Sequence, residues 1–520
     1  MKVVGNVSED GILYGKANGV VTDGVPVVWD NETSTVRPVT LTGSAQDISS
    51  AVEFEAGAAI YQSAVYDEET GSVVICYQDG GNNNYGTAVV GTPTASGLVF
   101  GTPIVFSTAT SSIAYISATM AKEVDGVTSR LFIAYAKNSG GNSGSMIVGT
   151  IHNSGAPSAA TITFGPEDNF EGNQIVWVST TFDSIYNKVL VNFRRTAGGD
   201  KSAVAKISIL GNKPFLNGTN EVNTLTDLAS NSIIFDPIAA STFIFTRQTS
   251  GGVAGRGVAQ IITFSPTSNT TIEVGSTINV FESASGVTHF ASVVVPKWNR
   301  VVLIYNDSTK KGVSRNVTAS GVTADSLATG QVSLSATSTY DSNTTNDNVY
   351  NQVSYDPYND KVLAVFKHGP TGYLSYSIGY LTNGDSITWS AVTAFPGNIN
   401  VNDIGLTYVP YGQAEKDGVF VVTYADGGDN NKGKAITFKI QGTTLTPNSN
   451  FVGFSQGTSA DGTNVKIKTG GSVARNLSGL KVGRQYFVYT DGTLQLIPQN
   501  RVPITVAGTA ISATELIVKG

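Results

Sequence analysis

One cysteine, Cys76, stands in a chain of 520 residues, so no internal disulfide can hold the fold. A lone thiol fits folding in a reducing cytosol. Charge is scarce as well. Asp, Glu, Lys and Arg make up 14% of the residues, against about 25% in an average soluble protein. The net charge is −7, and no basic run is longer than Lys310-Lys311 or Arg194-Arg195. That excludes the clustered cations of a nucleic-acid surface. No apolar run approaches the ~18 residues of a helical membrane span. The opening MKVVGNVSEDGILYG has Lys2 but no apolar core, so no cleaved secretory signal is expected. The three histidines, His152, His289 and His368, fall at different positions of the repeat described below. They read as polar surface or loop residues, and a histidine metal site or catalytic triad is not expected. No GxSxG, HExxH, P-loop or dinucleotide fingerprint is present. The expectation is a chain that is not an enzyme.

What is abundant is glycine, at 57 residues, together with Ser, Thr and Asn. This is the profile of a turn-rich all-β protein. Length alone would suggest two to four domains unless a repeat absorbs it. A repeat does. The hairpin CYQDGGNNNYGTAVVG (76–91) returns as TYADGGDNNKGKAITF (423–438), and its first strand recurs between them. The copies are VVICYQD (73–79), LFIAYAK (131–137), VLVNFRR (189–195), TFIFTRQ (242–248), VVLIYND (301–307), VLAVFKH (362–368) and VFVVTYAD (419–426). Anchored on Tyr77, Tyr135, Phe193, Thr246, Tyr305, Phe366 and Tyr424, they recur at steps of 53 to 61 residues. Turn clusters such as YDEETGS, FDSIYNK and YDPYNDK precede them. A third strand follows, and a fourth often ends in a Gly-Thr-Pro-like step, as in LVFGTPIVF (98–106). Four antiparallel strands per unit in seven units predict a seven-bladed β-propeller. The recurring strand is apolar on both faces, as a strand covered on both sides must be.

The expected domains are an N-terminal β segment over 1–35, a propeller over 36–445 and a small C-terminal β-domain over 446–520. Residues 36–42 are predicted to supply the outer strand of the last blade and so close the ring. The N-terminal segment has a strand–turn–strand texture and is expected to pack with the C-terminal domain.

Candidate sites come from two features. The DGG loops offer Asp79, Asn82, Asn83 and Tyr85 in the first unit and Asp426, Asp429 and Asn431 in the last. Their hard oxygens suit Ca²⁺ or a glycan, yet Asp-Gly and Asn-Gly steps also make tight turns with no ligand. Apart from Ca²⁺ at these loops, no cofactor is expected. In a closed ring the two loops lie side by side. The sixth unit is rich in tyrosine, and Tyr358 and Tyr373, beside Pro or Gly in predicted turns, are the pair expected to face a sugar or a protein. The stretch TNGDSITW (382–389) is near a sialidase Asp-box, but its Asp is displaced by one and Ser386 replaces the Gly. Trp389 aligns with Phe100 and Phe164 and reads as packing.

The segments FVGFSQGTSADG, SGLKVGRQYFVYTDGTL and VAGTAISATELIVKG resemble a small β-module of tail-fibre-like proteins of marine and cyanobacterial phages. The pattern YDxxTGxVVxxYxDGGNxNYGTAVVGT followed by FGTPxVF is similar to repeats in the same kind of protein. The first unit matches it well, and the third and fourth match poorly. The resemblance implies a virion structural protein with a tail-fibre or receptor-binding role in host attachment. It also implies several copies per particle, contacts with other virion proteins and a host surface glycan or protein, and assembly in the host cytoplasm without membrane insertion. The alternatives are a non-adhesive nozzle, collar or head decoration, or a polysaccharide-degrading propeller enzyme.

Overall fold

The second strand of the first unit, Ser72–Asp79, is buried along its whole length. Successive side chains of a strand point to opposite faces, and here both faces are covered. Val74 and Cys76 pack with Leu131, Ile133 and Tyr135 of the following unit. Val73, Ile75 and Tyr77 pack with Val409, Val419 and Val421 of the last one. The same arrangement recurs between the second and third units, through Phe132, Ala134, Val189 and Val191. The core therefore lies between sheets as a series of slabs.

The computed structural model describes residues 11–17, 20–30, 35–38, 46–94, 97–107, 112–138, 143–153, 155–197, 199–222, 228–248, 255–265, 268–274, 279–282, 286–320, 331–381, 386–410, 418–440, 451–460, 462–489, 492–496 and 505–519. Among them are strands, two 3₁₀ turns and no α-helix. The chain forms two compact units, Ile48–Lys439, and Met1–Asp47 with Ile440–Gly520.

The larger unit is a β-propeller. Five sheets of four or five antiparallel strands span 113–171, 175–221, 228–282, 288–341 and 349–394, their main strands paired in chain order. A nine-stranded sheet joins the last strands of the repeat to the first. It divides where one long strand, Val52–Asp67, changes partner. Val52 to Ala58 pair with Lys432 to Ala435, and Ala59 to Asp67 pair with Ser72–Asp79. Divided there, it is two blades, and we read the unit as seven.

The first strands of neighbouring blades lie side by side and return to their starting point. Hydrogen bonds between them recur around this cycle. Ser63 Oγ accepts from Ala118 N, Ser117 Oγ from Thr180 N, and Thr181 Oγ1 from Phe235 N, at 3.0 Å each. Ser232 and Ser292 share a hydroxyl contact of 2.8 Å. Asn351 Nδ2 donates to His289 O at 2.9 Å, and Gln62 N donates to Asp403 Oδ2 at 2.8 Å. Small hydroxyl residues fit because neighbouring strands converge near the axis.

In several blades the outer edge is set by a ring over a glycine. A Cβ on Gly86 would lie 2.4 Å from the Phe106 ring, and one on Gly312 would lie 2.4 Å from that of Tyr340. In the last blade Phe54 covers Gly433 in the same way, at 2.5 Å. Val52-Glu53-Phe54 thus stands where Ile104-Val105-Phe106 stands in the first blade. This corrects the expectation for residues 36–42. Thr35–Pro38 pairs with Pro26–Asp30 in the other unit, and residues 39–42 lie outside the described ones. The physical reason is the glycine, since only a strand bringing a ring to Gly433 fills the space it leaves. The boundaries move accordingly, to 48 and 439.

The smaller unit holds two five-stranded sheets. In one, N-terminal Ile12–Lys16 and Pro26–Asp30 pair with C-terminal Asn464–Lys468 and Phe451–Gln456. Leu13, Val36, Val465 and Ile467 share one core cluster.

Phe54→Ala leaves the pocket over Gly433 unfilled. A loss of about 3–5 kcal/mol is expected, read as a lower denaturant midpoint for the propeller. An unchanged midpoint would show that the ring does not depend on this strand.

Candidate functional site

The two DGG loops bracket the shared strand. Gly80 N donates to Ala58 O at 2.7 Å, and Ala59 N donates to Asn431 O at 2.9 Å. The loops are built alike. Backbone O of Asp79 accepts from Asn82 N and Asn84 N, and that of Asp426 accepts from Asp429 N and Asn431 N. Asn83, Asn84, Asn430 and Asn431 all have positive φ, from 53° to 61°. Asparagine tolerates that region better than most residues, which accounts for the Asn runs without a ligand.

Their side chains differ. In the last loop, Lys434 Nζ lies 2.8 Å from Asp426 and 2.9 Å from Asp429, and Lys432 lies 3.4 Å from Glu53. The lysines neutralise the oxygens a cation would need. In the first loop, Tyr85 and Thr87 occupy the lysine positions. Asp79 is buried and its pKa is raised, by burial and then by the charge of Glu55. Glu55 in turn accepts from Gly57 N at 2.7 Å and from the Tyr77 hydroxyl at 2.9 Å. Asn82 and Tyr85 are half-buried and Asn83 is exposed. No group of three or more acidic, His or Cys side chains is placed to hold a metal ion among the described residues. The structure brings the two loops to one place and gives them a structural part, the fastening of the ring.

Tyr358 and Tyr373 are not brought together. Tyr358 lies in the turn before Lys361–Lys367, and Tyr373 lies in the loop after it. Seven strand residues at about 3.3 Å each separate them. Tyr358 lies near Tyr66 and Tyr408, and Tyr373 forms a bridge to Asn400. Trp389 is packing, as read. Its ring lies tilted against Tyr340 at 5.6 Å, and its Nε1 donates to Ser314 Oγ at 2.8 Å. His152 is exposed beside Thr163, and His368 lies beside Thr371.

A feature missed in the sequence lies at the start of the first strands. Every one of them breaks register there, at 60/63, 114/117, 176/179, 229/231, 288/291, 349/352 and 401/403. Five bulges hold a bulky residue at positive φ: Tyr61 at 55°, Tyr115 at 51°, Trp177 at 57°, His289 at 53° and Tyr350 at 56°. That backbone is costly for bulky side chains, and bulges re-aim side chains. The sequence suggests a surface or loop residue at His289. It is half-buried inside a strand, and burial lowers its pKa, with Asp347 pulling it up and Arg247 down. The rings of Tyr61 and Tyr115 are 5.4 Å apart, and those of Tyr115 and Trp177 are 5.5 Å apart. Tyr350 is close enough to Tyr61 and Asp403 to feel their charge. Trp177 is 39% exposed and Tyr350 is 37% exposed. The seven bulges pair with the ends of the second strands, so this collar lies at the propeller end that carries the DGG loops. A signal was present in the sequence. Tyr61, Tyr115 and Trp177 each stand two residues before a serine, Ser63, Ser117 and Ser179.

Asp403 fastens this collar. Its Oδ2 accepts from Gln62 N, and its Oδ1 accepts from Ile404 N at 2.8 Å. Burial pushes its pKa up to about 7, against the pull of these backbone donors. In the unfolded chain it would titrate near 3.8. Between those values the folded state keeps a proton that the unfolded state releases. Its contribution to stability is therefore greatest below pH ~4, falls as pH rises towards 7, and is level above. Asp403→Asn is expected to remove this part of the slope from a melting-temperature profile over that window. An unchanged slope would contradict the assignment.

No protein-family model matches the chain, and no curated protein matches it. Among solved structures it is similar to the β-propeller domain of Cps50 (Swd1) from Myceliophteria thermophila, at 10% identity and TM-score 0.44, covering 76% of this chain and 99% of that one. It is similar to the periplasmic gluconolactonase PpgL of Pseudomonas aeruginosa, at 10% identity and TM-score 0.45, covering 75% and 96%. A fungal lectin of Aleuria aurantia, a six-bladed β-propeller, matches at 11% identity and TM-score 0.35, covering 68% and 97%. These likenesses concern the fold alone.

Proposed function

We propose that the protein is an attachment component of a phage particle, a binding part without catalysis of its own. The phage setting rests on the resemblance of the C-terminal segments and the DGG repeat to tail-fibre-like proteins. The binding role is supported by one observation, the collar of large side chains held at positive φ at one end of the propeller. Strain of this kind persists where surroundings enforce it, and it collects at ligand sites. A catalytic reading would need a carboxylate free to exchange protons with a substrate. Asp403, with its raised pKa, instead engages the backbone of two neighbouring strands. Several copies per particle would turn weak single contacts into firm attachment.

Immunogold electron microscopy of purified particles from the source, with an antibody against the propeller, tests this reading. Gold at the tips of tail appendages is the expected result. Gold confined to capsid, collar or tail shaft would leave a structural virion part and remove the attachment role. Particles without gold would overturn the phage setting.

A further inference from the structure

We propose that the collar of Tyr61, Tyr115, Trp177 and Tyr350 is a carbohydrate-binding site for a neutral glycan chain. The proposal deepens the attachment reading and rests on it for its biological role, while the binding itself can be measured on the isolated chain.

Three observations carry it. The first is repetition. The same bulge position holds a large ring in four blades, at φ between 51° and 57°. Each such residue is strained where glycine would be at ease; Tyr61 and Tyr115 recover part of that cost by packing against the cores between blades, whereas Trp177 and Tyr350 do so less. The second is spacing and exposure. Tyr61, Tyr115 and Trp177 follow one another at 5.4 and 5.5 Å with their planes tilted by 52° and 49°, one continuous aromatic strip against which a sugar ring can pack. Trp177 and Tyr350 remain more than a third exposed. Amphipathic rings suit the C–H face of a pyranose while leaving its hydroxyls free for polar partners.

The third observation is a set of unpaired polar atoms that stand next to the rings in the chain. Gln62 follows Tyr61 in the chain and Asn351 follows Tyr350, at 7% and 4% exposure. The amide nitrogen of each donates within the protein, Gln62 Nε2 to Ala59 O and Asn351 Nδ2 to His289 O. The carbonyl oxygens, Gln62 Oε1 and Asn351 Oδ1, have no hydrogen-bond partner among the described residues. Ser179 Oγ, two residues beyond Trp177, has none either. Buried acceptors left unpaired are costly; all three are covered by surrounding protein, so a sugar hydroxyl would reach them only through a local side-chain shift. The chain has 14% charged residues, and Asp403, the carboxyl near Tyr61 and Tyr350, is engaged by backbone amides, which favours a neutral glycan over an acidic or basic peptide.

The test is saturation-transfer NMR and calorimetry on the full chain. The probes are maltohexaose, cellohexaose, mannohexaose and polysaccharide released from the host envelope. Saturable binding to at least one is expected. Trp177→Gly and Tyr350→Gly should each weaken it by about tenfold or more while leaving the melting temperature unchanged or higher, because glycine relieves the positive φ. Trp177→Phe should keep most of the affinity, and Tyr358→Ala, at the other end of its blade, all of it. No binding to any probe would overturn the proposal, as would binding that survives both glycine variants. Binding to envelope protein that persists after its glycans are removed would assign the collar to a protein partner instead. A failed titration with gold still at the appendage tips would remove the glycan site and keep the attachment reading. Binding without gold on any particle would do the reverse.

Discussion

The propeller depends on one strand serving two blades. Val52–Asp67 gives its first half to the last blade and its second half to the first. A sheet left open has unpaired edges and exposed apolar flanks. Here the flank of the first blade, Val73, Ile75 and Tyr77, would face water without Val409, Val419 and Val421 of the last blade. The shared strand is held at several points. Phe54 covers Gly433, the DGG loops bond the backbone at Ala58 and Ala59, and Asp403 takes the amide of Gln62. The duplicated hairpin is explained by this place in the ring.

Much of the fold was legible because its signals are local and repeated. The recurring strand is apolar at successive positions, and that property is readable without knowing what covers each face. Turn acids also announce themselves. Asp67, Asp183, Asp236 and Asp356 each accept from backbone amides two and three residues ahead. The closing strand was less legible. Val36 to Leu41 carry the β-pattern that Val52 to Phe54 carry, and pattern alone cannot say which reaches Gly433. The ring over a glycine could have decided it, since Phe54 stands to Gly433 as Phe106 stands to Gly86.

The candidate site was less visible still. Loop chemistry drew attention to Asp79, Asp426 and Asp429, whose loops hold the shared strand through the backbone of Gly80 and Asn431. The collar sits inside strands, where an aromatic residue is ordinary. Only the backbone shows that Tyr61, Tyr115, Trp177 and Tyr350 occupy positive φ, and φ cannot be read from residue type when the residue is one that normally avoids it. Closure and collar are linked through Asp403, because the bond that fastens the last blade to the first also fixes the bulge presenting Tyr61.

Zero-length carbodiimide coupling followed by peptide mapping tests the closure most directly. Lys432 Nζ lies 3.4 Å from Glu53 Oε2, and both groups are solvent-accessible. A Glu53–Lys432 cross-link, joining the two ends of the propeller sequence, is the expected product. If Lys432 couples to Asp429 alone and Glu53 is recovered free, the shared strand does not close the ring.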